Sequence, residues 1–187
     1  MPSPIAITLT ADNYNRHQRE GQPGFSAQMR EQGHTSRQDI LEVATVPAPS
    51  EVAQRLGIEE GADVVIRRLR FVVDDLPVQL VRVYYEPQLV AGSRLERPVL
   101  IPDGVHAELR RLGVHVTRFV EDFMGARLPD PDEERALQLP SGVPVTRNVR
   151  TAYAGDRPVE VMDTISHGEV VSYRFEIELQ PGLGRSW

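Results

Sequence analysis

Val64-Val-Ile-Arg67-Arg68-Leu-Arg70-Phe-Val-Val73, followed by Asp74-Asp75 and then Val78-Gln-Leu-Val-Arg82-Val-Tyr-Tyr85, decides the fold of this chain. Two runs rich in β-branched and aromatic residues flank a pair of turn-formers, which predicts an antiparallel hairpin. Strand side chains alternate, so Val64, Ile66, Arg68, Arg70 and Val72 share one face and Val65, Arg67, Leu69, Phe71 and Val73 the other.

Working outward, the unit recurs. Pro47-Ala-Pro-Ser-Glu51, Leu56-Gly-Ile58, Gly61, Val64 and Pro77-Val78 have counterparts in Pro129-Asp-Pro-Asp-Glu133, Leu137-Gln-Leu139, Gly142, Val145 and Pro158-Val159. The offset is 82 at the start and 81 after a one-residue deletion. Both copies read Pro-x-Pro-x-Glu, short helix, glycine, strand, turn, Pro-Val, strand. The second hairpin therefore pairs about Val145–Tyr153 with Val159–Ile165 through Gly155-Asp156. Two copies are an internal duplication, too few for a solenoid.

The flanks supply the rest. Residues 1–24 are polar, close on Pro23-Gly24 and read as a linker, with a domain over 25–187. Phe25 opens a short helix stopped by Gly33, a strand covers about Ile40–Val46, and Glu51–Leu56 is a helix stopped by Gly57. Residues 87–101 read as irregular, Val105–Leu112 as a helix ending at Gly113, and Val114–Phe123 as a strand. Ser172–Leu179 alternates, with Tyr173, Phe175, Ile177 and Leu179 on one face. The expected fold is α+β, a mostly antiparallel sheet of about six strands with short helices between.

Composition excludes several functions. The 187 residues contain no cysteine, which removes disulfides, thiol catalysis and thiolate zinc sites and fits a cytoplasmic protein. No apolar run approaches the roughly 20 residues a membrane span needs. The net charge is −6, all 21 basic side chains are arginine, and no basic stripe exists to neutralise nucleic-acid phosphates. The absence of lysine, together with 15 prolines, suggests a GC-rich genome.

The usual catalytic constellations are missing. His17, His34, His106, His115 and His167 are scattered, with no His-Glu-x-x-His, and neither a Gly-x-Ser-x-Gly elbow nor a glycine-rich phosphate loop occurs. Asp74-Asp75 reads as turn chemistry. Asp130-Pro-Asp-Glu-Glu134 reads as acidic residues at a helix N-terminus. No cofactor or metal is expected. One feature stands out: Arg68 and Arg70 place two cations mid-strand among apolar neighbours, and a half-buried face needs an anion to offset them. Either an internal carboxylate (Glu121, Glu160 or Glu176) or a ligand supplies it. The second copy has Val149 and Thr151 there, so the scaffold does not require the pair. Ser26, at a helix start, is an N-cap or part of an anion site.

Together these segments resemble the UTRA effector-binding domain of GntR regulators of the HutC subfamily, whose fold is similar to chorismate lyase. The matching pieces are Phe25-Ser-x-x-Met29-x-x-x-Gly33, Pro47-x-Pro49-x-x-Val52-Ala53-x-x-Leu56-Gly57, Val65-x-x-Arg68-x-Arg70, Tyr85-x-Pro87, Arg118-x-x-Glu121 and Pro158-Val159-Glu160 leading to Tyr173. The resemblance covers about residues 25–180. It implies a sensor and dimerisation domain whose effector alters DNA binding by a winged-helix domain absent from this chain. Sugar-phosphate-sensing members hold the phosphate at the start of the first helix and on the strand arginines. That implies Phe25, Ser26, Arg68 and Arg70, with Tyr85, Glu121 and Tyr173 completing the set. Arg82 stands where such members often carry a sugar-binding glutamate, which disfavours an amino sugar and leaves room for a second anionic group. The implied partners are a small phosphorylated or carboxylated effector, a second copy of the chain, and DNA only through the missing domain. A chorismate-lyase-like enzyme is the alternative.

Overall fold

The structure, a computed structural model, describes residues 5–10 and 24–176. In chain order the first half is β1 (Ile7–Thr10), α1 (Gly24–Glu31), β2 (Ser36–Pro47), α2 (Ser50–Leu56), β3 (Asp63–Val73) and β4 (Leu76–Tyr85). Then come α3 (Pro87–Val90), a 3₁₀ turn (Arg94–Glu96), α4 (Val105–Arg111), β5 (Arg118–Arg127), α5 (Pro131–Leu137), β6 (Val145–Ala154), β7 (Arg157–His167) and β8 (Val171–Arg174).

The deciding hairpin is β3–β4. Asp74 and Asp75 both take positive φ, 45° and 68°, the type I′ geometry whose twist suits a two-residue hairpin. The Asp74 carboxylate accepts from the Thr35 amide and hydroxyl, each at 2.9 Å, so this acidic pair does turn chemistry. The acidic run before α5 is likewise a helix start. Asp130 and Glu133 form a capping box, each side chain accepting the other's backbone N–H. Gly57 closes α2 in the left-handed region at φ 69°, as a C-terminal glycine can at little cost.

Six strands form an antiparallel sheet in the order β2-β3-β4-β7-β6-β5, and β1 pairs with β8 in a separate parallel ribbon. The duplication sets the centre of the sheet. Arg82 and Asp163 are separated by the repeat offset and are also cross-strand partners in β4 and β7. A pseudo-twofold axis therefore passes between these two strands. Around it, α2 covers Val64, Ile66, Tyr84, Val149 and Val161, while Leu137 of α5 and Leu139 cover Leu80, Val145 and Ile165. All those strand positions lie on the Arg68 face. The opposite face carries Val65, Leu69, Val81, Val83 and Tyr85, packed under Val90, Leu95 and Leu109.

Three expectations need correcting. Val114–Phe123 was expected as a strand, yet pairing begins at Arg118 and runs to Arg127. Val114 still belongs to the end of α4, its amide donating to Leu109 O at 2.9 Å. Val114 and Val116 pack against the core without strand partners, so their apolar character signalled burial only. Residues 87–101 hold a short helix and a 3₁₀ turn. The polar reading of residues 1–24 missed Ile7–Thr10, which is a strand with Ile7 fully buried. Of the last expected strand, Ser172–Leu179, the structure forms Val171–Arg174 and leaves Phe175 and Glu176 outside it; Ile177 and Leu179, like Asn13–Gly21, lie outside the described residues.

Candidate functional site

The Val81 face of the sheet floors a cavity of about 170 Å³. Arg67, Leu69 and Phe71 of β3, Gln79, Val81, Val83 and Tyr85 of β4, and Glu160, Met162 and Thr164 of β7 line it, with Asn148, Arg150 and Glu121 from β6 and β5. Leu9 and Thr10 of β1, Phe25 and Gln28 of α1, and Tyr173 and Phe175 close one side. Leu100, Ile101, Val105 and His106 close the other. The wall is mainly apolar with a few converging polar groups, the usual make-up of a small-molecule site.

Those polar groups form two sets, and two positions in each are related by the pseudo-twofold axis. At one end Gln79 Nε2 donates to Ser166 Oγ at 2.9 Å and to Tyr173 Oη at 3.3 Å. Tyr173 Oη donates to Asn148 Oδ1 at 3.0 Å. Asn148 Nδ2 donates to Glu121 Oε1 at 2.9 Å, and Arg150 Nη2 reaches both Glu121 oxygens at 3.0 and 3.1 Å. At the other end stand Glu160 and Tyr85, the repeat counterparts of Gln79 and Ser166. Tyr85 Oη donates to Glu160 Oε2 at 2.8 Å, and His106 Nε2 lies 3.6 Å from Glu160 Oε1. One end thus combines amides, hydroxyls and the Glu121–Arg150 ion pair, while the other joins a carboxylate, a phenol and an imidazole. Burial alone would raise the Glu160 pKa. His106, the Tyr85 hydroxyl and the Arg150 charge outweigh it and hold the group below the usual carboxylate value. Burial raises the Tyr173 hydroxyl above its ordinary value despite its hydrogen bond to Ser166.

Arg67 is the group that sequence reasoning missed. Its residue is 3% exposed. Nη1 donates to the carbonyls of Arg94, Leu95 and Arg97 at 3.2, 2.9 and 2.7 Å, and Nη2 to Val99 O at 2.9 Å. No carboxylate among the described residues forms an ion pair with it. Desolvation pushes its pKa below the ordinary arginine value, because carbonyl dipoles only partly replace water around a buried cation. The available signal was its place beside Leu69 and Phe71 on an otherwise apolar face.

The eight residues expected to bind ligand divide evenly. Phe25, Tyr85, Glu121 and Tyr173 line the cavity; Ser26, Arg68, Arg70 and Arg82 do not. Phe25 packs its ring 4.6 Å from Phe71, and Ser26 is half-buried but off the cavity wall. Arg68 and Arg70 do share one face, but it is the face turned away from the cavity. Glu42 pairs with Arg68 at 3.2 Å, and Asp39 accepts from Arg70 Nη2 at 2.8 Å. Both carboxylates come from β2, the neighbouring strand; Glu121 and Glu160 face the other way. Arg82, on the same outer face, lies 3.6 Å from Asp163. Among the described residues no cluster of His, Asp and Glu is built to hold a metal ion, and no helix is long and apolar enough to cross a membrane.

An antiparallel sheet with two helices on one face and a partly open amphipathic cavity on the other has the architecture of an α+β small-molecule-binding domain. The chain belongs to the UTRA domain family, whose description matches residues 31–172. It is 32% identical over 162 residues to the HTH-type transcriptional regulator Rv0792c of Mycobacterium tuberculosis, covering 81% of this chain and 56% of that protein. The chain spans about half the length of the curated relatives it matches. Both are named as HTH-type transcriptional regulators, which speaks for the regulator reading over the enzyme alternative. PhnF from Mycobacterium smegmatis shares the fold at a TM-score of 0.77 with 20% identity, over 94% of this chain and 73% of PhnF. The C-terminal domain of the histidine utilization repressor from Pseudomonas syringae pv. tomato superposes at 0.62 with 26% identity, over 79% of this chain and 99% of that domain.

Proposed function

We propose that this chain is the sensor half of a cytoplasmic GntR-type repressor and that its cavity holds a small effector with one anionic group. The observation that carries the anion is Arg67, a buried cation on the cavity wall whose described partners are all neutral carbonyls. Arg150, on the same wall, pairs with Glu121, a carboxylate that also accepts from Asn148, and adds positive charge near a ligand. The effector's apolar body fits Leu69, Val81, Val83 and Met162. Binding shifts the dimer between DNA-competent and DNA-incompetent states through the difference in affinity for the two. DNA contact requires a domain outside the described residues, because this chain carries a net charge of −6.

The dimer joint in this reading is the edge of β5 that has no strand partner among the described residues, where Phe123 and Met124 are exposed. Light scattering at micromolar concentration should give twice the 21.0 kDa chain mass; a monomer contradicts it. For the effector, the experiment is a thermal-shift screen of phosphorylated and carboxylated metabolites, with calorimetry on each hit. A ligand at 100 times its Kd adds about 2.7 kcal/mol of stability. A charge-assisted contact contributes about 1.5–3 kcal/mol. The methyl ester of a carboxylated hit, or the dephosphorylated form of a phosphorylated one, should therefore bind about ten- to a hundredfold more weakly. Equal affinity for the neutral analogue overturns the anionic reading.

A further inference from the structure

We propose that β1 is the element that reports whether the cavity is filled: docking of Ile7–Thr10 and occupancy of the cavity are thermodynamically coupled. This rests on the reading of the cavity as the effector site. Among the described residues β1 has a sheet partner along one edge only, β8, with Thr8 opposite Ser172 and Leu9 opposite Tyr173. The other edge is completed by side chains. Gln32 of the segment after α1 accepts from the Thr8 amide at 3.0 Å and donates to the Thr8 carbonyl at 2.8 Å, as a neighbouring strand would. One turn earlier, Gln28 Oε1 accepts from the Thr10 amide at 2.9 Å. Ile7 adds one fully buried side chain against Phe25, Met29 and Val171.

Several of the same groups face the ligand. Gln28 is 2% exposed and lies on the cavity wall with Leu9, Thr10 and Tyr173. Tyr173 sits opposite Leu9 in the ribbon while its hydroxyl reaches Gln79 and Asn148 on the floor. An occupant that engages Gln28 or Tyr173 therefore alters the groups that hold β1, with no relay through the sheet. A short strand held by a few hydrogen bonds and one buried isoleucine belongs to the low-stability end of the fold, where switching elements are found. In the regulator reading β1 precedes every other described element, so it is the nearest to a head attached on the N-terminal side.

The chain has no cysteine, so Thr8→Cys with Ser172→Cys can form a single disulfide. The two residues are register partners with hydroxyl oxygens 3.2 Å apart. The probe is 8-anilinonaphthalene-1-sulfonate, an aromatic anion, titrated by fluorescence into the oxidised and reduced forms of this double variant. Couplings between sites run to about 5–150-fold in affinity, so the two forms should differ at least about fivefold. Reciprocity gives a second reading that needs no substitution: in the wild type the probe should change hydrogen exchange at the Thr8 and Thr10 amides by a similar factor. If the probe shifts the methyl resonances of Val81, Val83 and Met162 while affinity and exchange stay within about twofold, the coupling is wrong and the cavity reading stands. If it shifts none of those methyls, the cavity reading fails and the inference falls with it.

Discussion

Arg67 and Arg68 are neighbours in sequence and lie on opposite faces of one strand, and their surroundings differ in kind. Arg67 is buried among carbonyls beside a cavity; Arg68 is exposed and meets Glu42 across the strand pair. The whole sheet repeats this contrast. Its outer face carries α2, α5 and a chain of ion pairs: Arg147 with Glu51 at 2.7 Å and Asp163 at 2.9 Å, Arg55 with Asp122 at 2.7 Å, and Arg70 with Asp39. There carboxylates sit beside the arginines, and the Arg147 hydrogen bond holds Glu51 below the usual carboxylate range. On the cavity face Arg150 also has a carboxylate partner, Glu121, but Arg67 is buried and answered by backbone dipoles alone among the described residues. The outer face is finished as it stands, whereas the inner face has charge and space left to meet a ligand.

The largest expected effect breaks the comparison if it fails. Arg67→Ala removes the donor to four carbonyls that tie the Arg94–Val99 segment to the sheet. Urea unfolding should show a loss of about 3 kcal/mol, since buried acceptors are left without partners. On the outer face, Arg147→Ala takes away two half-buried ion pairs at once and should cost about 2 kcal/mol, shrinking in high salt.

Acid should loosen the cover of the cavity in a defined window. Glu108 of α4 accepts from Arg94 Nη2 at 2.8 Å and Arg111 Nη1 at 3.0 Å. Those bonds, the Arg94 one foremost, lower its pKa from 4.5 to about 2. A carboxylate depressed in the folded state stabilises the protein above its unfolded pKa, and that contribution disappears as pH falls toward the folded value. Glu108→Gln should therefore cost about 1–2 kcal/mol at neutral pH and flatten the stability profile between pH 4.5 and about 2. An unchanged acid slope would mean that this cluster does not clamp the cover. The smallest effect is Arg68→Ala, an exposed pair worth at most about 0.5 kcal/mol, with effector affinity unchanged.

Much of this was legible in the sequence, and what was not has physical causes. Asp74-Asp75 fixed one hairpin, the repeat supplied the other, and Gly57 and Asp130 marked helix ends through local chemistry alone. Alternation correctly put Arg68 and Arg70 together and Arg67 opposite. Period two distinguishes two faces but not which one is hollow; that depends on where the Leu100–His106 segment and β1 pack, far away in sequence. The partners of Arg68 and Arg70 were equally hidden, because Asp39 and Glu42 become neighbours only through β2 pairing with a bulge between Ile40 and Glu42. Tyr173, Tyr85 and Glu121 were named through family resemblance, and the structure brings all three to one cavity. Ile7–Thr10 escaped because four residues are too few to display a period against a polar background.

The central claim is that the effector sits on the inner face of the sheet. The direct measurement is methyl chemical-shift mapping with the first carboxylated or phosphorylated metabolite that raises the melting temperature. The account predicts shifts at Leu69, Val81, Val83 and Met162 and silence at Ile66, Val149 and Val161 under α2. Shifts confined to Ile66, Val149 and Val161 would place the ligand among Arg68, Arg70 and Arg82 and contradict it.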